Sequence, residues 1–145
     1  MSRPASEDAA ELDRPEVIAE VLAAFHRYEH ALVTGDVDTL TALFWDDPRC
    51  LRYGVADRQR GADAIAAWRR AHPSASPGRR LRETEILALS GGTAVVNTLF
   101  DYPGGRTNSG SRIEGRQSQV WVRFLEGWRI VAAHVSEVPA DGRST

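Results

Sequence analysis

A tyrosine, several arginines and a short run of glutamines are the residues of this 145-residue chain whose types and spacing could do chemistry. All 18 basic residues are arginine, and lysine is absent. That removes Schiff-base chemistry and the lysine of a phosphate-binding loop. It leaves arginine as the anchor for an anionic substrate, and a guanidinium grips a carboxylate through two parallel hydrogen bonds. Arg52 stands mid-run in Cys50-Leu51-Arg52-Tyr53-Gly54. Turned inward it needs an anion, which Glu29 or a substrate carboxylate could supply. Tyr28 falls at the edge of a helical apolar stripe. There it is either core with its hydroxyl satisfied or a donor to a ligand. Free tyrosine ionises near pH 10 and is a poor base at neutrality. Its better use is as a hydrogen-bond donor. Arg52 would hold a carboxylate and stabilise developing negative charge.

Gln117-Ser118-Gln119 is a polar run inside an otherwise apolar segment, where strand propensity would not choose glutamine and a core face would not tolerate it unpaired. Gln119, His134, Arg116 and Trp68 complete the expected substrate-binding set. His134 could equally be a hydrogen-bond partner of Gln119 alone. No side chain has the context of an activated nucleophile.

Other chemistries drop out. His26-Arg27-Tyr28-Glu29-His30 matches the H-x-x-E-H zinc pattern, but at 100° per residue both histidines fall opposite the apolar stripe and no third ligand is evident, so no metal is expected. There is no glycine-rich dinucleotide loop and no Cys/His cluster, so no cofactor is expected. Net charge is -2, against a nucleic-acid partner. No apolar run approaches the roughly 18–20 residues of a membrane span. The small, acidic start is unlike a signal peptide. The lone Cys50 excludes an internal disulfide and reads as a small core residue. A cytoplasmic protein with a small anionic substrate is the expectation.

The elements must bring these residues together. A helix is predicted from a capping box at Asp13 and Glu16 to Thr34, stopping at Gly35, with Ile18, Val21, Leu22, Phe25 and Leu32 inward. Asp36 caps a second short helix. A strand is predicted over about 50–55, and a third helix from Gly61 with Ile65 and Trp68 inward. Four longer strands follow near 80–90, 93–102, 113–125 and 127–138. The glycine-rich loop 103–112 could cover the site. Residues 1–13 read as an N-terminal arm, 14–138 as one domain and 139–145 as a C-terminal tail. Helices first and antiparallel strands after is an α+β pattern. The predicted architecture is a cone-shaped curved antiparallel sheet wrapped around the long N-terminal helix.

A hairpin turn at Glu126-Gly127 would pair Leu125 with Trp128, Trp121 with Ala132, Gln119 with His134 and Gln117 with Ser136. One face is then Trp/Gln/His and the other a valine stripe. A one-residue bulge would exchange the faces. A second copy covering the valine stripe predicts a homodimer through the outer sheet face.

The order of elements and the closing strand Trp128-Arg-Ile130-Val-Ala-Ala-His134-Val-Ser136 resemble the nuclear transport factor 2-like, or SnoaL-like, superfamily. Three segments resemble its AtzH-like family, which includes the oxalurate-catabolism protein HpxZ. They are Ala24-Phe25-His26-Arg27-Tyr28-Glu29-His30-Ala31-Leu32, then Leu43-Phe44-Trp45 with Arg52-Tyr53-Gly54, then Gly115-Arg116-Gln117-Ser118-Gln119-Val120-Trp121-Val122-Arg123. The resemblance implies the cone-shaped fold, a dimer, and a role beside amidase-type enzymes in catabolism of nitrogen-rich compounds. It implies hydrolysis of a urea carrying carboxylates, with Tyr28 and Arg52 as the catalytic pair. Two other classes stay open: a non-catalytic ligand-binding protein, and an isomerase or cyclase, for which Glu29 would have to be the base.

Overall fold

A computed structural model describes residues 11–105 and 112–140. Most of the expected N-terminal arm, of the C-terminal tail and of loop 103–112 lies outside the described residues. Helix α1 is Pro15–Thr34, α2 Val37–Ala42 and α3 Ala62–Ala71; strands are β1 Leu51–Tyr53, β2 Arg58–Arg60, β3 Arg80–Ser90, β4 Thr93–Asp101, β5 Ile113–Phe124 and β6 Gly127–Pro139. The strands form one six-stranded sheet in the order β2-β1-β6-β5-β4-β3. It is mixed rather than wholly antiparallel, because β1 runs parallel to β6. The short strand β2 carries no sequence signal of its own; it forms by pairing with β1.

Helix α1 packs across the concave face of the sheet. Its buried residues are Val17, Val21, Ala24, Phe25, Tyr28, Glu29 and Ala31. The inward face is thus turned slightly from the expected stripe, leaving Ile18 and Leu32 at its partly buried margin. Small Ala24 and Ala31 let the helix sit close, and the turn brings Tyr28 and Glu29 fully inside. The helix ends at Gly35 as expected, whose N–H donates to Ala31 O. Its start corrects the sequence reading. Asp13 does not cap it; the N-cap is Arg14, without a side-chain bond. Asp13 instead pairs with Ala88 on edge strand β3, its N–H donating to the Ala88 carbonyl (2.8 Å) and its carboxylate accepting from the Ala88 N–H (2.9 Å). This satisfies edge groups that would otherwise be open to another chain. Asp36 caps α2 as expected, accepting from Thr39 N–H.

The last hairpin is also corrected. Phe124 pairs with Gly127, so the turn is Leu125-Glu126, and Trp121 pairs with Ile130 but Val120 with Ala132. Val131 is therefore an extra residue, a bulge, and beyond it the faces of β6 exchange. Gln119 lies opposite Ala133, Gln117 opposite Val135 and Gly115 opposite Glu137. The concave face of β6 therefore presents Ala133, Val135 and Glu137, and His134 goes to the other side with Ser118.

Gly115 shows how tight this face is. A Cβ there would overlap the ring of Phe100, its cross-strand partner, well inside van der Waals contact, and Phe100 is 1% exposed. Gly115→Ala is expected to destabilise the fold by about 1–3 kcal/mol through overpacking, read as a lower chemical-denaturation midpoint. An unchanged midpoint would show that the ring can yield.

Candidate functional site

The concave face of the sheet, α1 and α3 enclose a cavity of about 300 Å³. Tyr28, Arg52, Trp68, Gln119 and His134 all line it, together with Asp57, Arg69, Arg79, Phe100, Tyr102, Gln117 and Glu137.

Arg52 reaches the cavity because β1 alternates. It lies opposite Gln59 on β2 and Ala133 on β6, all on one face, and is 9% exposed. Its guanidinium lies over the Trp68 ring at 4.4 Å, a cation–π arrangement. Both of its hydrogen bonds use Nη1: one to Asp57 Oδ1 (2.6 Å) and one to Gln59 Oε1 (2.7 Å). The expected alternatives for its anion were Glu29 or a substrate; the structure supplies Asp57. Gly54 makes this possible, since a Cβ there would stand 2.6 Å from the Asp57 carboxylate. Burial raises the Asp57 pKa, but hydrogen bonds from Gln59 and Arg52 outweigh it and hold the carboxyl below its ordinary range.

Glu29, in the middle of the α1 stripe, pairs with Arg79. Arg79 Nε donates to Oε1 (2.9 Å), and Gln117 Nε2 donates to Oε2 (3.0 Å). The side chains are 4% exposed for Arg79 and 8% for Glu29. Arg79 also donates to Gln117 Oε1 (3.2 Å) and lies 3.7 Å over the Phe100 ring. Burial works against its charge, but Glu29 and, after it, Tyr102 together more than compensate and the guanidinium is held above its ordinary pKa. The polar run is explained here: Gln117 is a filled bridge between Glu29 and Arg79.

Gln119 is different. It is 1% exposed, and its Oε1 accepts from Trp121 Nε1 (3.0 Å). Indole N–H is a donor only, so it sets which way the amide faces. Among the described residues Gln119 Nε2 has no hydrogen-bond partner.

Arg69 is the residue that sequence reasoning missed. It sits one turn after Ile65 on α3, so the i, i+4 spacing that buries Ile65 buries it as well. It is 6% exposed. Among the described residues no carboxylate lies within ion-pair distance of it. Burial lowers its pKa; the neighbouring Tyr28 hydroxyl offsets this in part, and the nearby Arg52 charge adds to the lowering. Tyr28 lines the same cavity wall as Arg69 and Arg52. Its ring packs edge-on against Phe44 at 6.1 Å. Arg79 was also overlooked, because it closes a Pro/Ser/Gly-rich stretch; the buried acid at Glu29 was the signal for a cation.

The remaining expectations separate. His134 is exposed and meets Tyr53 edge-on at 5.7 Å at the cavity rim. The bulge puts it opposite Ser118 and not Gln119. Arg116 does not reach the cavity mouth. It is exposed on the convex face and donates to Glu114 (2.8 Å), because it alternates with the inward Gly115 and Gln117. Glu137, by contrast, lines the cavity, a carboxylate that the predicted register had excluded. His26 and His30 are exposed while Glu29 points inward, so the H-x-x-E-H residues do not converge. Cys50 is fully buried, and burial pushes its thiol up to about 11. No helix of the described residues is long and apolar enough to cross a membrane.

Comparison with known proteins follows this geometry. The AtzH-like family model matches residues 10–141. A protein of unknown function of the DUF3225 family from Pectobacterium atrosepticum is 45% identical over 92% of this chain and 98% of its own, with a TM-score of 0.80. A cystatin-like fold protein from Burkholderia xenovorans is 39% identical over 90% of this chain and 98% of its own, also with a TM-score of 0.80. A ketosteroid isomerase-like protein from Erwinia carotovora atroseptica shares the fold, with a TM-score of 0.72, at 17% identity over 88% of this chain and 100% of its own. No curated protein matches the chain.

Proposed function

The chain belongs to the AtzH-like family, with a nuclear transport factor 2-like fold, and we propose that it is a cofactor-independent hydrolase of a small carboxylated urea or amide. The observation that carries this reading is Arg69: a buried guanidinium in the cavity wall, beside the Tyr28 hydroxyl, with no carboxylate within ion-pair distance among the described residues. A buried cation of this kind calls for an anion, and a cavity of about 300 Å³ holds a small one.

In this reading the substrate carboxylate lies against Arg69 and the free edge of Arg52. The Tyr28 hydroxyl faces the scissile carbonyl and its nitrogen. Water adds to the carbonyl carbon, and the oxygen gains negative charge beside two guanidinia, where it is stabilised in a dry site. Tyr28 gives its proton to the leaving nitrogen as the C–N bond breaks and regains one from the added water. Arg52, tied to Asp57 and Gln59 through one nitrogen, is positioned without being used up. The products are an amine or amide and a carboxylate or carbamate. The likeness to AtzH-like proteins supports a role in nitrogen-compound catabolism. Mass spectrometry of products after incubation with a set of N-carboxylated and N-acyl ureas tests the reading. Time-dependent C–N cleavage is expected; binding without cleavage across the set would leave a ligand-binding protein.

That second reading has its own support. Asp57 already neutralises the Arg52 charge, which lowers its worth in stabilising negative charge on a reacting substrate. The isomerase reading loses the base expected for it, since both Glu29 oxygens are held by Arg79 and Gln117. The convex face supports a homodimer. Leu87 and Leu89 are 43% and 42% exposed there, beside Val95, Val120 and Val122 at neighbouring register positions. Sedimentation velocity is expected to give a dimer, and a monomer at tens of micromolar would remove it.

A further inference from the structure

Asp57 has one oxygen to spare. Its Oδ1 accepts from Arg52 Nη1 (2.6 Å) and from Gln59 Nε2 (2.9 Å), and Gln59 Oε1 accepts from the same Arg52 Nη1 (2.7 Å). This ring of three side chains holds the carboxylate in place. Among the described residues Oδ2 accepts no hydrogen bond, although an ionised carboxylate accepts through both oxygens. The Asp57 side chain is 24% exposed, so water reaches it. It lines the same cavity as Tyr28, Arg52 and Arg69. Two other carboxylates lie nearby and both are engaged. The Glu29 oxygens are held by Arg79 and Gln117, and Glu137 has a partner of its own.

From this arrangement we propose that Asp57 is the general base of the hydrolytic step, with Oδ2 taking a proton from the attacking water. This deepens the hydrolase reading and rests on it. Water held by Oδ2 adds to the substrate carbonyl carbon while one of its protons passes to Oδ2. The carbonyl π pair moves onto oxygen. When the carbonyl re-forms, the C–N bond breaks and its electron pair stays on nitrogen, which takes the Tyr28 proton. The proton on Asp57 then returns to the Tyr28 phenolate, so both residues are restored. The link to Arg52 gives the transfer a second effect. In the resting site Asp57 neutralises Arg52. Protonation of Oδ2 ends that neutralisation, and the Arg52 charge comes free as the substrate oxygen turns negative. Burial opposes ionisation of Asp57, but hydrogen bonds from Gln59 and Arg52 outweigh it, so the carboxylate is charged at neutral pH. The same bonds make it a weaker base than a carboxylate tuned toward neutrality. Its contribution therefore belongs at the lower end of the range for such groups.

The choice of attacking group tests this. Hydroxylamine attacks carbonyls without help from a base, at the same carbon and with the same leaving nitrogen. The substrate is whichever N-carboxylated or N-acyl urea the wild type cleaves fastest. With water, Asp57→Asn is expected to lower kcat by about 10²–10³-fold, with KM changed by no more than about threefold. With hydroxylamine at the same pH, the variant is expected to stay within a few-fold of wild type. A role confined to positioning Arg52 gives a different pattern: an equal loss with both attacking groups and a raised KM. That pattern overturns the proposal, as does water turnover unmoved by Asp57→Asn. Should melting curves show that Asp57→Asn does not fold, Asp57→Glu keeps the charge beside Arg52 and displaces the oxygen by one methylene. A loss confined to water is expected there too, and an unchanged ratio of the two rates overturns the proposal. Cleavage by the wild type without a water-selective loss in the variant removes Asp57 and leaves the hydrolase reading standing. No cleavage of any member of the set by the wild type removes both.

Discussion

Tyr28→Phe is expected to lower turnover of a carboxylated urea by about 10²–10⁴-fold, the range for loss of a positioned general acid. The substitution removes one oxygen and nothing else. The ring keeps its edge-on packing against Phe44 and its place in the core, where Tyr28 is 4% exposed. The lost oxygen is the one that faces Arg69. Stability should therefore move by only about 1 kcal/mol, and substrate binding, carried by guanidinia, should change much less than turnover. An interaction made chiefly in the transition state shows itself in this way, as a fall in kcat with little change in KM. Single-turnover product formation with the melting temperature as control measures both. Turnover within a few-fold of wild type would remove the hydroxyl from the chemistry and leave Tyr28 as core.

The second large effect is on stability. Glu29→Leu is expected to cost about 3–5 kcal/mol, because it strands the Arg79 charge in a site where the side chain is 4% exposed. The desolvation that opposes the Arg79 charge is then no longer offset by Glu29, and Gln117 loses the acceptor for its Nε2. For a domain of this size each kcal/mol is worth about 2–4 °C, so the melting temperature should fall by roughly 6–20 °C. The double variant Glu29→Leu, Arg79→Met removes both charges and should recover most of the loss, since a buried pair and an apolar replacement of similar volume are often close in stability. A double variant no better than Glu29→Leu alone would show that the damage comes from packing rather than from the stranded charge.

Much of this site was legible one residue at a time. The spacing of α1 placed Tyr28 and Glu29 together on its inward side, and helical geometry alone accounts for that. Inward placement of Arg52 follows from strand alternation once β1 is paired. A glutamine run in an apolar strand correctly marked a polar wall, although its members differ: Gln117 is a filled bridge, while Gln119 keeps an open donor.

What failed was partnership. Arg52 meets Asp57, five residues on, only because Gly54 leaves room for the turn. Glu29 meets Arg79, fifty residues away. Arg69 lay within reach of the same i, i+4 logic that placed Ile65, but a charged residue on an inward helical position reads as solvated until the cavity is seen. The largest displacement came from Val131. One unpaired residue moved His134 to the rim and brought Glu137 into the lining, and no local pattern announces such a bulge.

Periodicity and turn chemistry thus determined the helices, the long strands, the α+β class and the inward face of α1, because those depend on neighbours a few residues apart. Strand register past the bulge, the short strand β2, and which acid answers which guanidinium were decided only by tertiary structure. Those outcomes are settled by competition among groups far apart in the chain, and electrostatic pairing in a buried cavity depends on distance and desolvation that no single segment carries.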